Sequence, residues 1–199
     1  SRYKRDALGE ADSDAVTAAF FGDGTCNIGQ FYECLNMAQL WKLPILFVVE
    51  NNKWAIGMAH HRATSDVEIW RKAAGFGMHG EEVDGMDVLA VRDAAQRAIE
   101  RARAGEGPTL LECMTYRFRG HSLADPDELR DPEEKAFWAE RDPIKAFSAE
   151  VVSRNLISAE EMAAIDKEID AEVREAVEFA LAAPEPDASE LTRYIWADD

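Results

Sequence analysis

The sequence predicts an α/β fold, with a doubly wound and mostly parallel sheet followed by a C-terminal helical extension. Short apolar runs of strand length alternate with amphipathic segments of helical length. A strand, a helix and a second strand in that order form a parallel crossover unit. This rhythm is repeated as far as residue 116, whereas only helical patterns follow residue 132.

The first crossover unit begins with an apolar run at residues 15–21, which ends before Gly22 and indicates a buried strand. Residues 28–42 are apolar on more than one side, so we expect a helix that lies between the sheet and another layer. Pro44 ends this helix. Residues 45–50, which read Ile-Leu-Phe-Val-Val-Glu, give the clearest prediction of a buried strand.

The same alternation continues along the chain. Residues 66–76 have a helical pattern, and residues 82–83 form a candidate short strand. An amphipathic helix is predicted over residues 87–104, with Gly105 at its end. Residues 109–116 then form a further strand.

Residues 117–132 are charged, contain two Asp-Pro pairs and have no apolar period, which is typical of a functional or disordered loop. Among the helices beyond it, the clearest begins at Ser158 with a capping box to Glu161. We expect residues 1–145 to form the α/β domain and residues 146–199 to pack on it. The last helix carries an apolar stripe that we interpret as a packing surface: Met162, Ile165, Ile169, Val173, Val177 and Ala180.

Composition excludes several classes of function. The net charge of −17 repels a phosphate backbone, so we expect no nucleic acid partner. No apolar run could span a bilayer and residues 1–6 lack the apolar stretch of a signal peptide, so we expect a soluble protein without a membrane partner. Cys26, Cys34 and Cys113 form no metal-binding pattern and are expected to be buried free thiols in a reducing compartment.

Two polar motifs stand where the first two predicted strands end. A Gly-Asp-Gly motif occupies residues 22–24, and an Asn-Asn pair occupies residues 51–52. The intervening residues 25–50 have the length of one turn, one helix and one returning strand. Both motifs should therefore lie at the carboxyl ends of parallel strands, where open α/β sheets bind ligands.

These residue types suit a hard cation that bridges a diphosphate. Asp23 offers a carboxylate oxygen, Asn52 an amide oxygen and Trp54 a backbone carbonyl, and Mg²⁺ takes few oxygen ligands from protein. Gly22 and Gly24 would allow a sharp turn and a close approach of backbone N–H groups to phosphate. Either motif alone is more often an ordinary turn, but together at this spacing they favour a metal site.

The two motifs resemble the thiamine diphosphate signature. Residues 29–44 and 116–122 look like the alpha subunits of pyruvate dehydrogenase, within the family of thiamine diphosphate-dependent 2-oxo acid dehydrogenases. The continuation through Pro126 is similar to the cyanobacterial and plastid branch. The resemblance extends from about Ala7 almost to the C terminus.

The resemblance implies a thiamine diphosphate-binding fold whose diphosphate-binding domain is present here. Asp23 and Asn52, with the Trp54 carbonyl, match the Mg²⁺ ligands of the family. Gly24 and Thr25 match positions that line the diphosphate.

His121 matches a histidine at the mouth of the active site, implicated in cofactor contact and in acyl transfer to lipoyl groups. A solvated loop histidine is the alternative interpretation. Ser122 matches a serine that is phosphorylated in mammalian relatives, and we expect it to be unmodified here. The other histidines match nothing catalytic and are expected to be structural or exposed: His60, His61 and His79.

The implied chemistry is oxidative decarboxylation of pyruvate, with transfer of the acyl group to the lipoyl domain of a dihydrolipoamide acyltransferase. A beta subunit supplies the glutamate that activates the cofactor, which implies a heterotetramer (α2β2). The expected compartment is the cytoplasm, or the plastid stroma in a plant or alga. Alternatives are the same chemistry on a branched-chain 2-oxo acid or acetoin, and a non-catalytic assembly fragment.

Two features depart from the family pattern. Ile28 stands where relatives usually have a polar amide. The chain begins just before the first predicted strand, whereas family members have a substantial segment ahead of it, so we expect the sequence to be incomplete at its N terminus. A Rossmann-type dinucleotide site is excluded, because no G-x-G-x-x-G follows a strand.

Overall fold

The computed structural model describes residue 9, residues 14–193 and residue 195. Residues 1–6, for which the sequence predicts no signal peptide, lie outside the described residues. Its central element is a parallel sheet of four strands in the order β1-β2-β6-β5, and a small antiparallel pair, β3-β4, stands apart from it. The strands are β1 (Thr17–Gly22), β2 (Ile45–Asn51), β3 (Trp54–Ala55), β4 (Met58–Ala59), β5 (His79–Asp84) and β6 (Thr109–Met114).

Helices connect and follow these strands. Within the described residues the α-helices are α1 (Gly29–Leu40), α2 (His60–Ala63), α3 (Val88–Arg103), α4 (Pro132–Glu140), α5 (Pro143–Ser153) and α6 (Ala159–Ala182). The 3-10 helices are Asp23–Asn27, Ile69–Phe76 and Ala188–Thr192.

Both faces of the sheet are covered, which confirms the doubly wound α/β prediction. Successive side chains of β2 point to opposite faces. Phe47 and Val49 pack in the core that contains α1, and Leu46 and Val48 pack in the core that contains α3. A strand buried on both faces reads as one continuous apolar run, which is why β2 was the clearest prediction.

Two predicted elements differ in detail. The helical segment predicted over residues 66–76 is a 3-10 helix that begins only at Ile69. The Asp66 carboxylate accepts a hydrogen bond from the Glu68 backbone N–H at 3.1 Å, so the chain turns before the helix starts. The strand predicted at residues 82–83 is six residues long, His79–Asp84, and pairs on one side with β6. This edge strand lacks a continuous apolar run.

The cysteines are free, as expected, and Cys26 and Cys113 are buried. Burial raises the pKa of Cys26 to about 12 and that of Cys113 to about 11, which leaves both thiols protonated and unreactive. Cys34 is exposed, contrary to the prediction, since α1 turns the face of Phe31 and Leu35 towards the core. In the described part of the chain, no helix combines the length and apolar character that a membrane span requires.

The chain divides into two compact units, Ser1–Phe147 and Ser148–Asp199. In the second unit, Ser158 and Glu161 form the predicted capping box at the start of α6. The apolar stripe of α6 remains about half exposed, with Ile169 at 52% and Val173 at 57%. The Ser148–Asp199 unit therefore does not itself provide the packing predicted for this stripe, and the packing of residues 146–199 on the α/β domain stays a prediction.

Candidate metal and diphosphate site

Two strand ends bring the polar motifs to one edge of the sheet. Strands β1 and β2 pair in parallel with Gly22 opposite Glu50, so Asp23 and Asn52 both follow strands that end at the same level. The 3-10 helix that starts at Asp23 contacts β2 and the β3 strand of the following hairpin. The sheet thus assembles the two motifs, while their role as ligands stays a prediction.

Asp23 is a buried carboxylate with one oxygen that accepts no hydrogen bond. Only 1% of the residue is exposed, and its Oδ2 atom has no hydrogen-bond partner among the described residues. Burial raises the pKa of Asp23, although the His60 ring and the backbone N–H groups of Asp23 and Asn52 partly lower it. A buried carboxylate without full compensation is unfavourable until a cation or a proton joins it. The position therefore fits a metal ligand.

His60 lies against Asp23, a contact that the sequence did not reveal. Its Nδ1 atom is 3.5 Å from Asp23 Oδ2, and its Nε2 atom is 3.1 Å from the Val67 carbonyl oxygen. A carbonyl only accepts hydrogen bonds, so Nε2 carries the proton in that contact. Nδ1 is also 3.3 Å from the Thr64 hydroxyl oxygen. The His60 backbone N–H donates to the Lys53 carbonyl at 2.8 Å, so His60 contacts both Asp23 and the residue that follows the Asn-Asn pair.

The Asn-Asn pair forms a tight turn after β2. The side-chain oxygen of Asn52 accepts the Trp54 N–H at 3.1 Å, and that of Asn51 accepts the Lys53 N–H at 3.0 Å. Lys53 has φ +66°, a left-handed conformation that such local hydrogen bonds help to hold. An amide oxygen has two lone pairs, so Asn52 keeps one for a cation. Trp54 is half-buried in β3, next to this turn.

The glycines of the first motif differ in what they require. A Cβ atom at Gly24 would lie 2.7 Å from the Cβ atom of Ala55, so only glycine fits against the hairpin. Gly22 is extended, with φ −82° and ψ 167°, and a Cβ there would meet nothing closer than the Glu50 oxygen at 4.0 Å. The sharp turn expected to need glycine at Gly22 is therefore absent. Thr25 is exposed beside Gly24.

The loop after β6 contacts the β3-β4 hairpin through Arg117. The Arg117 guanidinium donates to the Ile56 carbonyl at 2.9 Å, and its charge lowers the pKa of Asp23. Ile56 has φ +56°, which is strained for a β-branched residue and which this bond helps to hold. His121 is exposed, and its backbone N–H donates to Asp125 Oδ2 at 2.7 Å.

No group of three or more His, Cys, Asp or Glu side chains in the described part of the chain is arranged to hold a metal ion. The edge around Asp23 offers one carboxylate, together with amide and carbonyl oxygens. A cation there would need further oxygens from an anionic ligand, which is how Mg²⁺ commonly binds together with phosphates.

Comparison with known proteins places the sequence in a family. The family model described as "Dehydrogenase E1 component" matches residues 7–189. Over its full length the chain is 62% identical to "Pyruvate dehydrogenase E1 component subunit alpha-3, chloroplastic" of Oryza sativa subsp. japonica, of which it covers 47%. It is 58% identical to "Pyruvate dehydrogenase E1 component subunit alpha" of Porphyra purpurea, again over its full length, and covers 58% of that protein.

A bacterial relative shows the same likeness at lower identity. Over 90% of its length, the chain is 45% identical to "Pyruvate dehydrogenase E1 component subunit alpha" of Rhizobium meliloti, of which it covers 52%. The chain thus spans about half the length of the curated relatives it matches. Because the family model matches nearly all of the sequence, the chain belongs to the dehydrogenase E1 component family.

Proposed function

We propose that this chain forms the part of a pyruvate dehydrogenase alpha subunit that holds Mg²⁺ and the diphosphate of thiamine diphosphate. The observation that carries the proposal is the buried Oδ2 atom of Asp23, which accepts no hydrogen bond and lies at the ends of two adjacent parallel strands. A diphosphate-bound cation would compensate this carboxylate. The relatives reported above are pyruvate dehydrogenase subunits by name, which supports pyruvate as the substrate.

The protein ligands of Mg²⁺ would be the Asp23 carboxylate, the Asn52 amide oxygen and the Trp54 carbonyl. A single carboxylate leaves the cation with net positive charge, which it needs to hold a diphosphate. Backbone N–H groups around Gly24 and Thr25, in the 3-10 helix that precedes α1, would donate hydrogen bonds to diphosphate oxygens. Gly24 supports this role because it keeps the turn packed against Ala55.

The cofactor, when bound, supplies the electron sink for decarboxylation of a 2-oxo acid, while the protein binds and orients it. On this chain, Arg117 fixes the base of the loop by its bond to the Ile56 carbonyl. His121 stands on the exposed part of that loop. Exposure suits a group that acts on a lipoyl arm arriving from outside.

The partners of the proposed enzyme are a beta subunit, in an α2β2 assembly, and the lipoyl domain of a dihydrolipoamide acyltransferase. The family membership and the words "subunit alpha" in the names of the relatives support this assignment. We place the enzyme in the cytoplasm or the plastid stroma. The plastid alternative is supported by the chloroplastic designation of the Oryza relative.

The test uses the full-length alpha subunit, assembled with its beta subunit. Calorimetric titration with thiamine diphosphate should show tight binding only when a divalent cation is present. Turnover with an artificial electron acceptor should give the highest kcat/KM for pyruvate, compared with branched-chain 2-oxo acids and acetoin. Tight binding of thiamine diphosphate without a divalent cation would contradict the proposed role of Asp23 as a metal ligand. A higher kcat/KM for another 2-oxo acid or for acetoin would contradict pyruvate as the substrate. Binding without turnover of any substrate would favour the non-catalytic alternative.

A further inference from the structure

Glu112 is a fully buried carboxylate in the central strand β6, with an exposed fraction of 0%. Both of its oxygens are hydrogen-bonded: Oε1 accepts from Asn51 Nδ2 at 2.6 Å, and Oε2 accepts from the Trp70 backbone N–H at 2.8 Å. Burial raises the pKa of Glu112, and these two bonds act in the opposite direction. Because a buried carboxylate contributes less to packing than an apolar side chain, the hydrogen bonds of Glu112 point to another role.

The first of these bonds continues into the turn that carries Asn52 and Trp54. Asn51 uses its NH₂ group on Glu112 and its amide oxygen on the Lys53 N–H at 3.0 Å. The chemistry permits only this orientation, since a carboxylate needs a donor and an N–H needs an acceptor. Glu112 thereby decides which way the Asn51 amide faces, and Asn51 holds the left-handed backbone of Lys53.

The second bond ties the same carboxylate to another element. Trp70 lies at the start of the 3-10 helix Ile69–Phe76, where backbone N–H groups have no partner within the helix. Glu112 supplies that acceptor from the adjacent strand. The Thr115 N–H also donates to the Asn51 carbonyl at 2.9 Å, which fastens the end of β2 to the end of β6. Hydrogen bonds to buried groups of β2 and β6 therefore hold the turn at residues 51–54 in position.

We propose that Glu112 is a positioning residue for the metal-binding turn Asn52–Trp54 and acts through the side chain of Asn51. The inference rests on the proposed function, because it takes Asn52 and Trp54 as Mg²⁺ ligands. Groups that orient metal ligands typically change metal affinity by about 10–100-fold when they are replaced. Glu112 meets the description, since it hydrogen-bonds neither ligand and acts through Asn51 on Lys53, the residue between the two ligands.

The substitution Glu112→Gln tests whether the donor and acceptor pattern of the Glu112–Asn51–Lys53 hydrogen bonds matters. A glutamine oxygen can accept from Trp70, but its NH₂ group then faces the NH₂ group of Asn51. If Asn51 rotates to relieve this clash, it presents its NH₂ group to the Lys53 N–H and the bond that holds the turn is lost. Adding Asn51→Asp restores every donor and acceptor, because the new carboxylate accepts from both sides. The double variant keeps the net charge of the pair.

The measurement is calorimetric titration of Mg²⁺ into the full-length alpha subunit with its beta subunit, at saturating thiamine diphosphate, alongside thermal unfolding without ligands. We expect Glu112→Gln to weaken Mg²⁺ affinity about tenfold and the double variant to recover most of it. Glu82→Gln is the matched control, since Glu82 lies opposite Glu112 on β5. We expect it to leave Mg²⁺ affinity unchanged.

Several outcomes would overturn the inference: a lower melting temperature for Glu112→Gln with unchanged Mg²⁺ affinity, no recovery in the double variant, or an equal loss in the control. If the single variant does not fold, the double variant decides, because a tenfold loss there also contradicts the proposal. Asp23→Asn in the same titration distinguishes a failure of the proposed metal site from a failure of the role proposed for Glu112. Unchanged affinity in Asp23→Asn rejects the proposed metal site, whereas a loss there with no effect of Glu112→Gln rejects only the role of Glu112.

Discussion

The turn at Asp23 and the loop at residues 117–131 both follow strands of the parallel sheet, yet their surroundings shift the pKa values of their carboxyl groups in opposite directions. Asp23 is buried, has one oxygen that accepts no hydrogen bond, and has its pKa raised by burial. In the loop, backbone N–H donors lower the pKa of Asp125, and the Arg130 side chain lowers that of Asp127. The carboxylate of the turn is therefore less fully compensated by its surroundings than the carboxylates of the more densely charged loop.

The loop is held together by its own residues. Arg130 is only 4% exposed, and its guanidinium stacks over the Tyr116 ring at 5.4 Å. It donates to the Asp127 carboxylate and to the Arg117 carbonyl oxygen. Lys135 adds a second cation to Asp127 at 3.2 Å. This charged loop, whose sequence is typical of a functional or disordered segment, thus has partners for these charges.

The largest expected effect comes from removing the unsatisfied charge. Asp23→Asn should weaken Mg²⁺ binding in the assembled enzyme by about 100-fold, because truncating one partner of a buried charge pair costs about 2–5 kcal/mol. Asp127→Asn is the matched control and should change Mg²⁺ affinity by less than about twofold, since loop charges at the surface are screened. Calorimetric titration measures both. Equal losses in the two variants would mean that the comparison between turn and loop is wrong.

Removing the central cation of the loop should affect stability rather than metal binding. Arg130→Met should lower the free energy of unfolding by about 2–3 kcal/mol, because Asp127 and the Arg117 carbonyl lose a buried charged donor. Limited proteolysis should then cleave within residues 117–131. Arg174→Met, on the exposed surface of α6, is the control and should stay within about 0.5 kcal/mol. Unchanged proteolysis in the Arg130 variant would show that the loop does not depend on its ion pairs.

A steric substitution in the turn should have a smaller effect. Gly24→Ala places a Cβ atom 2.7 Å from that of Ala55, and such overpacking costs about 1–3 kcal/mol. Gly29→Ala is the matched control, because nothing lies within 4 Å of a Cβ there and its φ is not in the left-handed region. It should be neutral or stabilise by about 0.4–1 kcal/mol. Denaturant unfolding compares the two; similar stabilities would mean that the turn can move away from the hairpin.

The smallest effect concerns the pH dependence of folding stability, whose sign differs between the turn at Asp23 and the loop at residues 117–131. Asp125 and Asp127 have folded pKa values below 3.8, so the stability they contribute is complete above pH 3.8 and is lost as pH falls through the folded pKa. Asp23 has a folded pKa above 3.8, so its ionisation destabilises the metal-free protein as pH rises through that value. Carboxyl carbon NMR titration follows each group. A titration of Asp23 below pH 3.8 would contradict its uncompensated burial.

The sequence by itself determined the elements whose pattern is local. The apolar run at residues 45–50 became β2, Ile45–Asn51, and the amphipathic stretch at residues 87–104 became α3, Val88–Arg103. It also determined that the Gly-Asp-Gly and Asn-Asn motifs meet, because a strand, a helix and a parallel strand can return to the same edge of a sheet in essentially one way. The residue types then indicated a cation and a diphosphate.

Only the tertiary structure decided which groups contact the residues of that candidate site. His60 on Asp23 and Glu112 on Asn51 join positions far apart in the chain, the second pair being 61 residues apart. The start of the 3-10 helix at Ile69 depends on a carboxylate 42 residues beyond Trp70. A periodic pattern reveals which residues are buried, because burial follows the face of an element. The partner of a buried polar group is fixed only when distant elements pack, since a hydrogen bond requires its two atoms within about 3 Å of each other.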